Sequence, residues 1–179
     1  MINVSKIYNT PPKEFKSKLH KKVYEVFENL SINYERVDTD EAITMQDCVE
    51  IEKALNVEIV KTLFLCNRQK TKFYLFITNG NKKFDCKKFG SELNISRVSF
   101  AEEETMISML DTKIGSATIL SSLIDDENKV DIVIDKDIMS NEYYGCSDST
   151  TTGYIKIRMA DIFDKILPYS KHIPKVIEM

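Results

Sequence analysis

Glu58-Ile59-Val60-Lys61-Thr62-Leu63-Phe64-Leu65-Cys66 reads as a strand buried along most of its length. Side chains alternate along a strand, so Ile59, Lys61, Leu63 and Leu65 share one face and a single cation stands in an apolar row. An ammonium taken out of water needs an anionic partner, a shifted pKa or a polar cavity; from a strand end it can also snorkel into solvent. A polar turn, Asn67-Arg68-Gln69-Lys70, separates this run from a second apolar run, Phe73–Thr78, and the pair reads as a hairpin. Asn79-Gly80 marks the next tight turn.

Upstream, residues 14–30 place Phe15, Leu19, Val23, Val26, Phe27 and Leu30 at helical spacing. Ile32–Val37 alternates as a strand. Thr44 opens a second helix, with Asp47 three positions on in a capping-box arrangement and Val49, Ile51, Ala54 and Leu55 as its buried stripe. Downstream come a helix over 86–93, a short strand over Arg97–Ala101, and a helix running to Leu110. Glu102, Glu103 and Glu104 stand at the positive end of that last helix. Ile119–Ile124 and Val130–Ile134, joined by Asp125-Asp126-Glu127-Asn128, read as a second hairpin, the aspartates serving the turn. Tyr154–Ile157 is a late strand, and Met159–Leu167 a closing helix broken at Pro168. Helices and strands mix without strict alternation. That predicts an α+β fold: a mixed, mainly antiparallel sheet or partial barrel flanked by helices. Residues 1–13 read as an N-terminal extension, 14–168 as a single domain and 169–179 as a C-terminal tail.

A chain of 179 residues suits one domain. No apolar run approaches the ~20 residues that span a bilayer. The start, Met1-Ile2-Asn3-Val4-Ser5-Lys6, lacks the apolar core of a signal peptide, so no membrane association and a cytoplasmic location are expected. Cys48, Cys66, Cys86 and Cys146 show no C-x-x-C spacing and are expected to be reduced. His20 and His172 fall in segments that read as surface, which leaves no ligand set for zinc and no Cys-His or Ser-His-Asp unit. Neither a P-loop nor G-x-S-x-G, G-x-G-x-x-G or H-E-x-x-H occurs. A net charge of −3 argues against general duplex-DNA binding. Local basic patches remain at Lys13, Lys16, Lys18, Lys21 and Lys22, and at Lys82, Lys83, Lys87 and Lys88.

Chemistry is left to three segments: the Lys61 strand, the loop Gly115-Ser116-Ala117-Thr118-Ile119, and the polar stretch Gly145-Cys146-Ser147-Asp148-Ser149-Thr150-Thr151-Thr152-Gly153. Glycine loops followed by hydroxyl residues can present backbone N–H groups to an anion or a polarised carbonyl. The order of these segments resembles the YbaK-type aminoacyl-tRNA editing domain, and more narrowly its prolyl-tRNA-synthetase-associated, PrdX-like branch, over about residues 20–168. Thr44-Met45-Gln46-Asp47 is similar to the family's T-M-x-D, Val60-Lys61-Thr62-Leu63-Phe64-Leu65 to A-K-N-L-F-L, and Phe84-Asp85-Cys86-Lys87-Lys88 to D-x-K-K-L. Arg97-Val98-Ser99-Phe100-Ala101 resembles R-L-S-F-A, Gly115-Ser116-Ala117-Thr118-Ile119 resembles G-S-V-T-P, and Asp131-Ile132-Val133-Ile134-Asp135 resembles V-V-I-D.

The resemblance implies a trans-acting deacylase that hydrolyses mischarged proline tRNA, alanine being the typical amino acid cleared. It implies tRNA as partner, neither metal nor cofactor, and no role for DNA. Lys61 would hold the 3′-terminal phosphate or ester end, and Gly115 with its following amides would polarise the ester carbonyl. Thr62, Ser116, Ala117, Thr118, Ile119, Gly145, Cys146, Ser149 and Thr150 would contact substrate. Several positions depart from the family pattern: Thr62 stands for Asn, Ile119 for Pro, Gly145 for the His of H-P-x-x-N-T-A-T, Ser149 for its Asn, and Asp40 for a His that often follows the first strand. These departures imply a weaker or re-tuned hydrolase, which Gly145→His with Ser149→Asn would strengthen. They equally fit a module that binds an aminoacyl end or a proline-like metabolite without hydrolysis.

Overall fold

A computed structural model describes every residue from Met1 to Met179. The N-terminal extension pairs with the first strand through isolated bridges at Val4–Thr39 and Tyr8–Arg36. Helix α1 (Lys18–Asn29) is capped by Ser17, whose Oγ accepts the His20 N–H at 3.0 Å. It buries Leu19, Val23, Val26 and Phe27 as a stripe at i, i+4, i+7 and i+8. Strand β1 (Glu35–Asp38) leads to α2 (Cys48–Leu55). Ahead of α2 the expected reciprocal pair is present: the Thr44 N–H donates to Asp47 Oδ2 at 2.9 Å and the Asp47 N–H to Thr44 Oγ1 at 3.3 Å. Residues 44–47 form a turn of their own, so the regular helix starts later than the capping box suggested.

Strands β2 (Lys61–Asn67) and β3 (Phe73–Thr78) form the expected hairpin, Lys61 opposite Thr78 and Cys66 opposite Phe73. Helix α3 (Cys86–Leu93) leads to β4 (Val98–Phe100), which pairs antiparallel with β2, and helix α4 (Glu103–Leu110) follows. Strand β5 (Val130–Asp135) lies parallel to β3. A second, three-stranded antiparallel sheet has β7 (Gly153–Arg158) between β1 and β6 (Tyr143–Ser147). The larger sheet is completed by β8 (Lys175–Ile177), giving the order β4-β2-β3-β5-β8. Both of its faces are covered. Leu75 and Ile77 of β3 point into the main core with Phe27, Ile132 and Ile155, while Tyr74 and Phe76 pack with Phe89, Val98 and Val133 beneath α3. That two-sided burial is why β3 and β5 read as unbroken apolar runs. The architecture is the expected α+β arrangement, with its sheets unclosed.

The two sheets touch where the Val60 N–H donates to the Gly145 carbonyl at 2.9 Å. Glycine is required at 145 by close approach: a Cβ there would lie 2.7 Å from the Glu58 carbonyl oxygen and 2.8 Å from Val57 Cγ1. Gly145→Ala should therefore destabilise the protein by about 1–3 kcal/mol, as overpacked sites do. The measurement is the midpoint of urea unfolding; an unshifted midpoint would show that the seam yields freely.

Several expectations are corrected. Ile119–Ile124 is a 3-10 helix rather than a hairpin strand. A short apolar run buried on all sides carries no period that tells strand from helix. Residues 143–147, of which 145–147 read as polar loop, form β6, because Tyr144 and Cys146 alternate into the core. The closing helix continues through Pro168: an α segment (Met159–Asp161), a π turn (Ile162–Ile166) and a last α turn (Leu167–Tyr169) run together. The wide π turn takes up the geometry that proline would otherwise break. Residues 169–179, read as a tail, supply β8 and bury Ile177. Both histidines, expected at the surface, are buried at 3% and 4% exposure, each against a carboxylate.

Candidate active site

Beside the seam lies a cavity of about 420 Å³. Its walls are mainly apolar, from Ile43, Met45, Ile59, Val60, Phe64, Phe100, Met106 and Ala117. Its polar groups come from Thr44, Lys61, Thr62, Ser147 and Tyr154. Lys61, the first residue of β2, is half-buried, and its Nζ donates to the carbonyl of Lys82. Burial alone lowers its pKa, and no carboxylate stands close enough to offset that.

The Lys82 carbonyl is itself held in place. Lys82 Nζ reaches Asp135 Oδ2 at 2.8 Å, Asp137 Oδ2 at 2.5 Å and the Met179 carbonyl at 2.9 Å. Asp135 is fully buried and also accepts the Thr78 hydroxyl at 2.6 Å. Burial pushes its pKa up, but the hydrogen bonds from Lys82 and Thr78 outweigh burial and hold the carboxyl below the usual range. The ammonium of Lys61 is thus oriented through a neutral carbonyl, and its charge is left uncompensated.

Across the cavity, Gly115 adopts φ +89°, where a side chain would be strained, and a Cβ there would sit 2.9 Å from Ile43 Cα. Gly115 and Ala117 both line the cavity, and neither backbone N–H has an acceptor within the protein. The Thr62 hydroxyl is likewise buried without a partner.

Lys61, Thr62, Gly115 and Ala117 of the expected site are brought together here. The others are not. Ser116, Ser149 and Thr150 line a separate pocket of about 240 Å³, with Lys16 and Lys113. Thr118, Ile119 and Cys146 belong to the core, with exposures of 0%, 0% and 1%. Burial pushes the Cys146 thiol up to about 12, and it accepts a hydrogen bond from Thr118 Oγ1 at 3.6 Å. Gly145 abuts Glu58 at the seam. From the 145–152 stretch only Ser147 reaches the cavity, two residues further along the same strand face, opposite Tyr154 in the β6–β7 register. A histidine at 145 would enter the seam, so Gly145→His cannot restore a cavity group. The alternation of Tyr143-Tyr144-Gly145-Cys146-Ser147 was the available signal for Ser147, and the T-M-x-D match was one for Met45; nothing local marked Ile43 or Tyr154.

A buried network braces the loop after Ser147. Asp148, 3% exposed, accepts from Tyr24 OH at 2.8 Å and Thr150 Oγ1 at 2.8 Å, and pairs with His20 Nε2 at 2.9 Å. The Lys16 N–H points at His20 Nδ1 at 3.1 Å, which places the ring hydrogen on Nε2, toward Asp148. Burial raises the Asp148 pKa, but the hydrogen bonds from His20, Thr150 and Tyr24 bring it net below the ordinary value.

Comparison with known proteins places these features in context. Residues 39–165 match the model of the aminoacyl-tRNA editing domain family. The prolyl-tRNA editing protein ProX of Acetoanaerobium sticklandii is 24% identical over 152 residues, which cover 85% of this chain and 92% of that relative. A solved structure described as a candidate trans-editing enzyme for prolyl tRNA synthetase aligns with a TM-score of 0.62 at 14% identity, over 91% of this chain and 98% of its own. A hypothetical protein of known structure aligns with a TM-score of 0.66 at 14% identity, over 87% and 98%. At such identities the two structures show a shared fold.

Proposed function

The chain belongs to the aminoacyl-tRNA editing domain family, and from that premise we propose that it is a trans-acting deacylase for mischarged proline tRNA, with alanine the amino acid cleared. The observation that carries this reading is Lys61, a half-buried cation without an acidic partner at the wall of a small apolar cavity. Such a charge is matched by the 3′-terminal phosphate of an aminoacyl-tRNA, which the cavity would then orient with its amino acid inward.

Water adds to the ester carbonyl carbon, the bond from that carbon to the ribose oxygen breaks, and the amino acid leaves as its carboxylate with the tRNA hydroxyl restored. The unpaired N–H groups of Gly115 and Ala117 are the donors available to the carbonyl oxygen as it gains charge. The Thr62 hydroxyl, buried without a partner, is the one available to orient the water or the α-amino group, since that of Ser147 already donates to the Thr150 carbonyl at 2.7 Å. The apolar walls supply a size limit. A synthetase pocket gains only ~1–3 kcal/mol against an amino acid one methylene smaller, so a second, smaller pocket adds the missing discrimination.

The test is release of labelled amino acid from alanyl-, cysteinyl- and prolyl-tRNA of the proline acceptor by the purified protein. Alanine should be released fastest and proline spared. Tight binding of alanyl-tRNA with no release would instead identify a non-catalytic binding module.

A further inference from the structure

Phe100, the last residue of β4, is 61% exposed although it lines the cavity. Its ring meets Phe84 edge-on, centroids 5.9 Å apart. Phe84 in turn lines a second, open groove of about 920 Å³, in which Lys83, Lys87 and Arg97 present exposed cations. None of the three forms an ion pair with an acid of the protein. The groove's carboxylate, Asp85, is engaged by the N–H groups of Lys87 and Lys88 at 2.9 and 3.0 Å as the cap of α3. Groove and cavity are also linked through the chain, since Lys83 directly follows the residue whose carbonyl holds Lys61. The result is a continuous track: a cation inside the cavity, an exposed aromatic face at its mouth, then three free cations, on a protein whose net charge is −3.

Resting on the deacylase reading above, we propose that this track docks the single-stranded 3′ end of the tRNA. The base next to the aminoacylated nucleotide stacks on Phe100, and the preceding phosphates lie along Lys83, Lys87 and Arg97. Aromatic faces beside a cationic groove are how proteins hold single strands without reading sequence, and stacking tolerates any base. Duplex RNA offers no exposed base face, so the occupant argued for is the unpaired acceptor end rather than the stem.

The test uses a labelled single-stranded RNA ending in CCA, a blunt RNA duplex of equal charge, and alanyl-tRNA, each with the parent, Phe100→Ala, Phe100→Trp, and Lys87→Ala with Arg97→Ala. Phe100→Ala should weaken single-strand binding about tenfold, and Phe100→Trp should restore it. The double cation variant should flatten the dependence of log affinity on log salt by about 0.7 for each cation removed, and raise KM for alanyl-tRNA more than it lowers kcat. If the parent hydrolyses alanyl-tRNA while Phe100→Ala and the double cation variant bind the single strand as it does, the track is wrong and the deacylase reading stands. Equal binding of duplex and single strand, unaffected by Phe100→Ala, also overturns it. A parent that binds the single strand along these residues but releases no amino acid keeps the track and sinks the deacylase reading.

Discussion

Lys61→Ala should lower kcat/KM for deacylation of alanyl-tRNA by about 10²-fold, the loss expected when a contact that positions the substrate is removed. The fold should survive. Lys61 is half-buried, its charge has no acidic partner, and its Nζ holds only the Lys82 carbonyl. Deleting an ammonium whose pKa is already depressed by burial also relieves a desolvation cost. Circular dichroism and thermal melting should thus match the parent while activity is lost. Lys61→Arg should recover little, since a planar guanidinium cannot keep both the single carbonyl contact and the position of a compact ammonium. Parent-like turnover by Lys61→Ala would remove this residue from the mechanism.

The largest effect on stability should come from Asp148→Ala, a loss of about 3–5 kcal/mol, typical when one partner is removed from a buried charged network. The truncation leaves His20 Nε2, Tyr24 OH and Thr150 Oγ1 without their acceptor inside the core. The pH dependence has a definite sign. The folded-state pKa of Asp148 lies below its ordinary value, so the carboxylate's contribution is complete above the unfolded value of about 3.9 and is lost as pH falls through the folded one. Parent and variant should differ fully at pH 7 and converge below about pH 4. Chemical denaturation across that range is the measurement; a gap that persisted unchanged into strong acid would mean that packing, not the ionised carboxylate, supplies the stabilisation.

The hairpin around Lys61 was legible because a polar turn separates two apolar runs, α1 because its apolar stripe is local, and α4 because acids mark its first turn. Lys61 itself stood out as a cation in an apolar row, and Gly115 as a glycine opening a loop. What stayed hidden depended on distant partners. Gly145 looks like a flexible loop residue until Glu58 is brought against it. Ile119–Ile124 has the composition of a strand, and only burial on every side turns it into a tight helix. His20 belongs to a basic amphipathic helix, and nothing near it in sequence announces Asp148. The expected site was assembled only in part for the same reason: Lys61, Thr62, Gly115 and Ala117 lie on segments whose direction can be read locally, whereas Ser147 reaches the cavity only through the strand pairing that moves Gly145 and Cys146 away from it.

The outermost strand gives this protein a timetable. Strand β8 caps the free edge of β5 and comes from the far end of the described chain, so a ribosome working at roughly 5–20 residues per second finishes it several seconds after β5 has emerged. Through that interval β5 offers Val133 and Ile134 along an open row of backbone donors and acceptors, the situation in which strands recruit the wrong neighbour. The same late segment provides the Met179 carbonyl that fastens Lys82. A nascent chain therefore carries Lys61 before the scaffold that aims it is complete, and newly made molecules should be most exposed to holding chaperones in the moments just before that scaffold closes.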